Sequence, residues 1–200
     1  MFLNLESWKA GTEVCPATPA TKADKALVAV RMESHTLAEM SLERFKTAQE
    51  AEESGIAVAL EELRAGRKRS HWIWYVFPQL AGLGRSATAQ FYGLKDFDEA
   101  RVYLRDGELG ARLDAATEAV RQALVKGGGL VEVMGGTTDA LKVVSSLTLF
   151  EEAAKEAGRG EFAERCSEVL AAAERQGFGR CGFTLKKMAR GKAGEGDESV

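Results

Sequence analysis

Cysteine is scarce in this 200-residue chain: Cys15, Cys166 and Cys181 are the whole set, an odd number with no C-x-x-C pair. That usage excludes a disulfide framework and a zinc site of paired cysteines, and it reads as ordinary thiols in a reducing compartment. Histidine is scarcer still. His35 and His71 are the two present, which excludes a histidine-rich metal centre. No apolar run approaches the ~20 residues that span a bilayer, so no membrane span is expected. Residues 1–5 lack the basic segment and the long apolar stretch of a secretory leader. The Ala- and Thr-rich start carries Glu6, Glu13 and Asp24, acids that transit peptides avoid. The expected location is the cytoplasm, with organellar targeting by the N-terminal extension left open. A dominant charge is lacking too. With 27 Lys and Arg against 30 Asp and Glu, the net charge of −3 gives no bulk field toward nucleic acid.

What is present is an average globular composition, 45% hydrophobic and 28% charged, in a chain long enough to bury a core unaided. Proline occurs three times, and Pro16 and Pro19 lie in a Thr/Ala/Pro stretch, residues 16–21, that reads as a linker. Residues 27–32 are apolar enough to pack, as strand or helix. From Arg190 the chain is Gly-, Lys- and Glu-rich without apolar period and is expected to stay unfolded. The expected division is an extension over 1–38, a helical domain over 39–189 and a charged tail over 190–200.

Within the domain the apolar period is helical. Ser41 suits an N-cap, followed by Leu42, Phe45, Ala48 and Gln49 at helical spacing. Ile56, Ala59, Leu60 and Leu63 form a second stripe, with Gly66 where a C′ glycine belongs. Asp96 and Glu99 have capping-box spacing. Leu109, Leu113, Ala116, Val120 and Leu124 form a long stripe ending at three glycines, 127–129. Leu141, Val144, Ser145, Thr148 and Leu149 form another; Phe162, Cys166, Val169, Leu170 and Ala173 the last, closed by Gly177. The aromatic run 72–77 is too short for periodicity to classify and is assigned helix from its neighbours. The expected fold class is all-α, a single domain of stacked helices.

Two runs stand out. The first joins Leu42-Glu43-Arg44-Phe45 and Glu62-Leu63-Arg64-Ala65-Gly66-Arg67-Lys68 to SHWIWYVFPQ, residues 70–79, and Gly82-Leu83-Gly84-Arg85-Ser86. The second is DALKVVSSLTLF, residues 139–150. Together they look like an uncharacterised family of bacterial and eukaryotic proteins, some of which carry the label calpastatin. The resemblance spans about residues 41–188. It implies an all-α, armadillo-like stacking of helices and no established activity.

The residues themselves offer several chemistries. Arg64, Arg67, Lys68, Arg69 and Arg85 could hold an anion, or simply complement helix C-termini. His71 is the candidate general acid or base, since imidazole titrates nearest neutrality. Trp74, among Trp72, Tyr75 and Phe77, could wall a pocket for a flat ligand. At least half of that run must be core, because a helix cannot turn every aromatic to one face. Gln79 precedes a Gly-x-Gly turn that has neither the third glycine of a dinucleotide fingerprint nor a Gly-Lys-Ser/Thr. Ser86 suits the cap of a following helix, whose free amides could meet an anion. Lys142, Ser145 and Ser146 share a helix face, in the reverse of the Ser-x-x-Lys order of serine hydrolases. Asp139 is an acid favoured in a first helical turn.

The leading functional expectation is a module binding a small anionic ligand, a nucleotide or phosphorylated group. Its cleft would be lined by Lys68, His71, Trp74, Gln79, Arg85, Ser86, Lys142 and Ser146, with no cofactor and no metal. The alternatives are a protein-interaction scaffold of stacked helices and an enzyme using His71.

Overall fold

The computed structural model describes residues 42–194, with side chains through 190. All belong to one compact unit. The expectations for residues 1–38, for Cys15 and His35, for the Ser41 cap and for the final residues 195–200 lie outside that range. The described chain is helical: α1 (42–49), α2 (Ile56–Arg64), α3 (Ile73–Val76), α4 (Ala87–Phe91), α5 (Phe97–Arg105), α6 (Gly107–Val125), α7 (Leu130–Val133), α8 (Thr137–Glu156), α9 (Gly160–Arg175) and α10 (Gly182–Gly194). Helix α10 carries helical structure past the expected boundary at 189. Among the described residues the one β feature is an isolated parallel bridge, Leu80 with Leu94. None of these helices is long and apolar enough to cross a membrane.

Local signals set the ends. Gly66 takes φ +77° behind α2, and the Arg67 amide reaches back to the Glu62 carbonyl at 3.0 Å, the glycine-terminated closure that L side chains resist. Asp96 caps α5 by accepting from the Glu99 amide at 2.9 Å, while the Glu99 carboxylate returns to the Lys95 amide at 2.7 Å. Asp106 caps α6 through the amides of Glu108 and Leu109.

Helix α8 is the centre. It packs against α9, α5, α7, α10 and α3. Every residue from Val143 to Glu151 is buried. A helix covered on all sides must satisfy its polar groups within the protein. Ser145 and Thr148 donate back to the carbonyls of Leu141 and Val144 at 2.9 and 2.7 Å. Glu151 is paired with Arg180 and with Lys155. One expected stripe member is on the outside: Leu141 is 49% exposed while its neighbour Ala140 is fully buried, because near its start α8 is covered on one face only.

Helix α1 is held by Gln49. Its buried side-chain amide donates to the Tyr75 carbonyl at 2.6 Å and to the Tyr103 hydroxyl at 3.0 Å. That ties α1 to α3 and α5. Burial pushes the Tyr103 phenol well above its ordinary range and keeps it neutral. Phe45 stacks edge-on to Tyr103 with centroids 5.2 Å apart, and Tyr103 meets Phe150 of α8 at 5.4 Å. Gln49→Leu keeps the volume and removes the donor. It should lower the free energy of unfolding by about 1–3 kcal/mol, read as a reduced urea midpoint with an unchanged m-value.

Candidate functional site

The site begins with a carboxylate that no local spacing announces. Glu62, on α2, accepts from the amides of Arg69 at 2.8 Å and Ser70 at 3.0 Å. It also accepts from the Ser70 hydroxyl and, at 2.8 Å, from the Trp72 indole N–H. Desolvation pushes the pKa of this carboxyl up, but the four donors outweigh it and bring the pKa down to about 2. The result is a fixed turn over residues 67–72 leading into α3. That helix is only four residues long. Trp72, Tyr75 and Phe77 are buried, whereas Trp74 is half-buried. Three of the four aromatics are therefore core.

The same turn delivers Lys68. Its amide donates to the Val133 carbonyl at the end of α7, at 2.7 Å. Its Nζ donates to the Ser70 carbonyl at 2.6 Å, pairs with Asp139 at 2.7 Å and stands 5.1 Å over the Trp72 ring. Asp139, in the first turn of α8, pairs also with Lys142 at 2.8 Å. Lys142 Nζ lies 3.5 Å over the Trp74 ring, a cation–π contact. Two lysines thus share one carboxylate. Desolvation opposes ionisation of Asp139, and the hydrogen bonds from Lys142 and Lys68 overcome it, holding the pKa below the ordinary carboxylate range.

The Gly-x-Gly turn closes the edge. The bridge from Leu80 to Leu94 is made by the Ala81 amide on the Leu94 carbonyl at 2.7 Å and the Leu94 amide on the Gln79 carbonyl at 2.8 Å. It anchors the loop at both ends. Lys187 of α10 donates to the carbonyls of Ala81 and Lys95 at 2.9 and 3.1 Å. Gly84 runs so close to α4 that a Cβ there would stand 2.4 Å from the Ala89 Cβ, and 3.6 Å from the Trp74 ring edge. Gly82 faces the Phe183 ring of α10.

Of the residues singled out from sequence, Lys68, Trp74 and Lys142 are brought together, through Asp139. Gln79 is half-buried beside the bridge. Arg85 and Ser86 are exposed, just past Gly84. Ser86 does cap α4, accepting from the Ala89 amide at 3.1 Å, but α4 is five residues long and carries little dipole. His71 is exposed and makes no hydrogen bond or ion pair with the described residues. Ser146 is fully buried, its Oγ without a hydrogen-bond partner. Sharing a helix face with Lys142 does not bring it to the surface, because α8 is covered there and only the long Lys142 stem reaches out. Glu62 and Asp139, the two organising acids, were missed as site residues. Glu62 finds its partners seven to ten residues along the chain, and Asp139 joins its i+3 neighbour Lys142 to Lys68 of the other motif.

Two open grooves lie elsewhere, between α6 and α9. One, about 350 Å³, is lined by Glu118, Arg121, Glu161, Glu164, Arg165 and Glu168. The other, about 430 Å³, adds Leu124, Val125 and Val169. Among the described residues no group of three His, Cys, Asp or Glu side chains is placed to hold a metal ion.

Fold and site together define a small all-α protein whose two motifs meet in a lysine–carboxylate–indole cluster. The chain matches, over residues 39–176, the family described as Protein of unknown function (DUF1810), and it belongs to that family. It is similar to a solved structure, the conserved hypothetical protein Rv1873 from Mycobacterium tuberculosis. The two are 40% identical, the match covers 74% of this chain and 96% of that one, and the TM-score is 0.63. No curated protein matches.

The Glu62 knot makes stability depend on acid. A carboxyl depressed from 4.5 to about 2 contributes stability that is complete above pH 4.5 and lost as pH falls toward 2. Glu62→Gln should therefore be less stable than the parent at pH 7 by about 1–3 kcal/mol. The gap should narrow as the pH drops through that window, measured by urea unfolding at each pH.

Proposed function

We propose that the chain binds a small anionic ligand, a phosphate or the phosphoryl end of a nucleotide-like molecule. The ligand would sit at the rim where Trp74, Lys142 and residues 82–86 meet. One observation carries this reading. Lys68 and Lys142 share Asp139 at 2.7 and 2.8 Å, which leaves one positive charge uncompensated in a partly desolvated place. Glu62, the other nearby acid, is occupied by N–H and O–H donors. Exposed Arg85 adds a planar fork at the mouth, and the glycines allow close backbone approach. Half-buried Trp74 offers a ring edge to a flat group. His71 stands beside this region as a side chain that could contact the ligand or act as acid or base.

The reading retains the armadillo-like arrangement implied for the family, supported by α8 packing on both α5 and α9. It also retains a cytoplasmic location and a domain running from about 39 to 189. A second reading, a protein-interaction scaffold, is favoured by the α6–α9 groove, where Val125 is 75% exposed beside Leu124 and Val169.

A thermal-shift screen against phosphate, nucleotides and sugar phosphates tests the first reading. A ligand at about 100 times its Kd adds about 2.7 kcal/mol, a shift of several degrees. Lys142→Ala and Arg85→Ala should abolish the shift. Asp139→Asn should act oppositely, tightening anion binding by about tenfold in titration calorimetry, because both lysines lose their internal counter-ion. A panel without any shift, or an Asp139→Asn variant that binds more weakly, overturns the reading in favour of the scaffold.

A further inference from the structure

Helix α10 has one face with nothing laid on it. Thr184 and Met188 face the protein and are buried. Lys187 holds the helix to the loop before α4 and to the one before α5, through the carbonyls of Ala81 and Lys95. The Cys181 amide ties its start to Thr148 of α8. The outward face is formed by Leu185, Lys186, Ala189 and Arg190, which stand at helical spacing and are all exposed. Leu185, a large apolar side chain, is 42% exposed. Lys186 and Arg190 make no ion pair with the described residues. They lie one turn apart, about 6 Å along the helix. The strip is therefore an apolar centre flanked by two unpaired cations.

The grooves between α6 and α9 have the opposite character. They share Arg121 and Glu168 and so run into one another as a single trough. One end is lined by Glu118, Glu161, Glu164 and Glu168 against Arg121 and Arg165, four acids to two cations. Both arginines are already engaged. Arg121 meets Glu118 at 2.7 Å and Glu168 at 3.3 Å, and Arg165 meets Glu118 at 3.1 Å as well as Asp114. Glu161 and Glu164, exposed on successive turns of α9, make no ion pair with the described residues. The other end is apolar, with Leu124, Val125, Ala171 and Ala172, and Arg175 closes it. An acidic end beside an apolar end matches a helix that carries an apolar residue and cations one turn apart. The outward strip of α10 has that composition. Within one molecule α10 is held on α8 with this strip turned to solvent.

We propose that the α6–α9 trough is the docking site for α10 of a second copy of this chain. Running antiparallel to α9, the incoming helix sets Leu185 and Ala189 against Val125 and Ala172. It carries Lys186 and Arg190 toward Glu168, Glu164 and Glu161. The surface that each copy gives differs from the surface it receives, so the contact is heterologous. One helix face in one trough is a small contact, of the size of weak, transient interfaces. The inference rests on the scaffold reading of this groove, to which it gives a partner. It does not rest on anion binding, because no residue of the lysine cluster lines the trough.

The test is sedimentation equilibrium of the full chain between about 10 µM and about 1 mM. The weight-average mass should rise above that of one chain as concentration increases. The association should weaken by about tenfold when salt is raised from about 50 mM to about 500 mM. Leu185→Glu removes the helix strip and Val125→Glu the trough. Both positions are exposed, so each variant should fold as the parent does, checked by circular dichroism, and each alone should keep the mass of one chain. Mixed in equal amounts they should form a 1:1 pair and nothing larger, because one retains the strip and the other the trough. A parent chain that stays monomeric up to about 1 mM overturns the proposal and leaves the trough to a foreign protein, while anion binding is judged separately by the thermal-shift screen. Association that survives either substitution, or a mixture that stays monomeric, overturns it as well.

Discussion

Everything in this protein is arranged around a helix that has no wet face. Over most of its length α8 is buried on every side, and a helix in that position imposes conditions on its surroundings. Two of its hydroxyls, those of Ser145 and Thr148, bond inward to carbonyls one turn back, and its one deep carboxylate, Glu151, is met by a cation from elsewhere, which Arg180 supplies. The neighbours then take their places. α9 and α5 flank it, and α10 is brought to it by Arg180 and by the Cys181 amide on Thr148. Both ends of α8 emerge from the core, and at the N-terminal end Asp139 and Lys142 are only half-buried. The candidate site lies at that end of the central helix.

The two acids of that region divide the labour. Glu62 is saturated by neutral donors and sets the shape of the turn before α3. Asp139 is over-subscribed by two ammonium groups and sets the charge. One is a structural knot whose removal is felt as lost stability. The other is a counter-ion with less charge than it has partners. The anion-binding reading rests on this asymmetry. A carboxylate matched one-to-one with a lysine leaves nothing for a ligand to neutralise, and a partly desolvated positive charge costs free energy that an incoming anion recovers.

Much of the helical framework was legible in the letters, and for a definite reason. The stripes at Leu109, Leu113, Ala116 and Val120, or at Phe162, Cys166, Val169 and Leu170, repeat at the period of a helix, and the structure buries all of them. Caps at Asp96 and Ser86 and the C′ glycine at Gly66 are local chemistry, complete within a few residues. The period misleads where a helix is buried all round. In α8 nearly every position is core, so Leu141 was grouped with the interior and Ser146 with a ligand wall, whereas one is exposed and the other sealed. The aromatic run 72–77 was assigned helix, and one turn of helix is there, but its role follows from the Glu62–Trp72 bond.

By itself the sequence determined the class of fold, the helix ends and which lysines and aromatics were worth watching, because propensity, capping and amphipathic period act over a few residues. Tertiary structure alone decided that Lys68 and Lys142, far apart in the chain, share Asp139, that Trp74 is the half-open member of the aromatic run, and that the Cys181 amide meets Thr148 of α8 at the head of α10. Those pairings depend on how whole helices pack. A charge or a ring acquires its chemistry from neighbours that chain order does not place beside it.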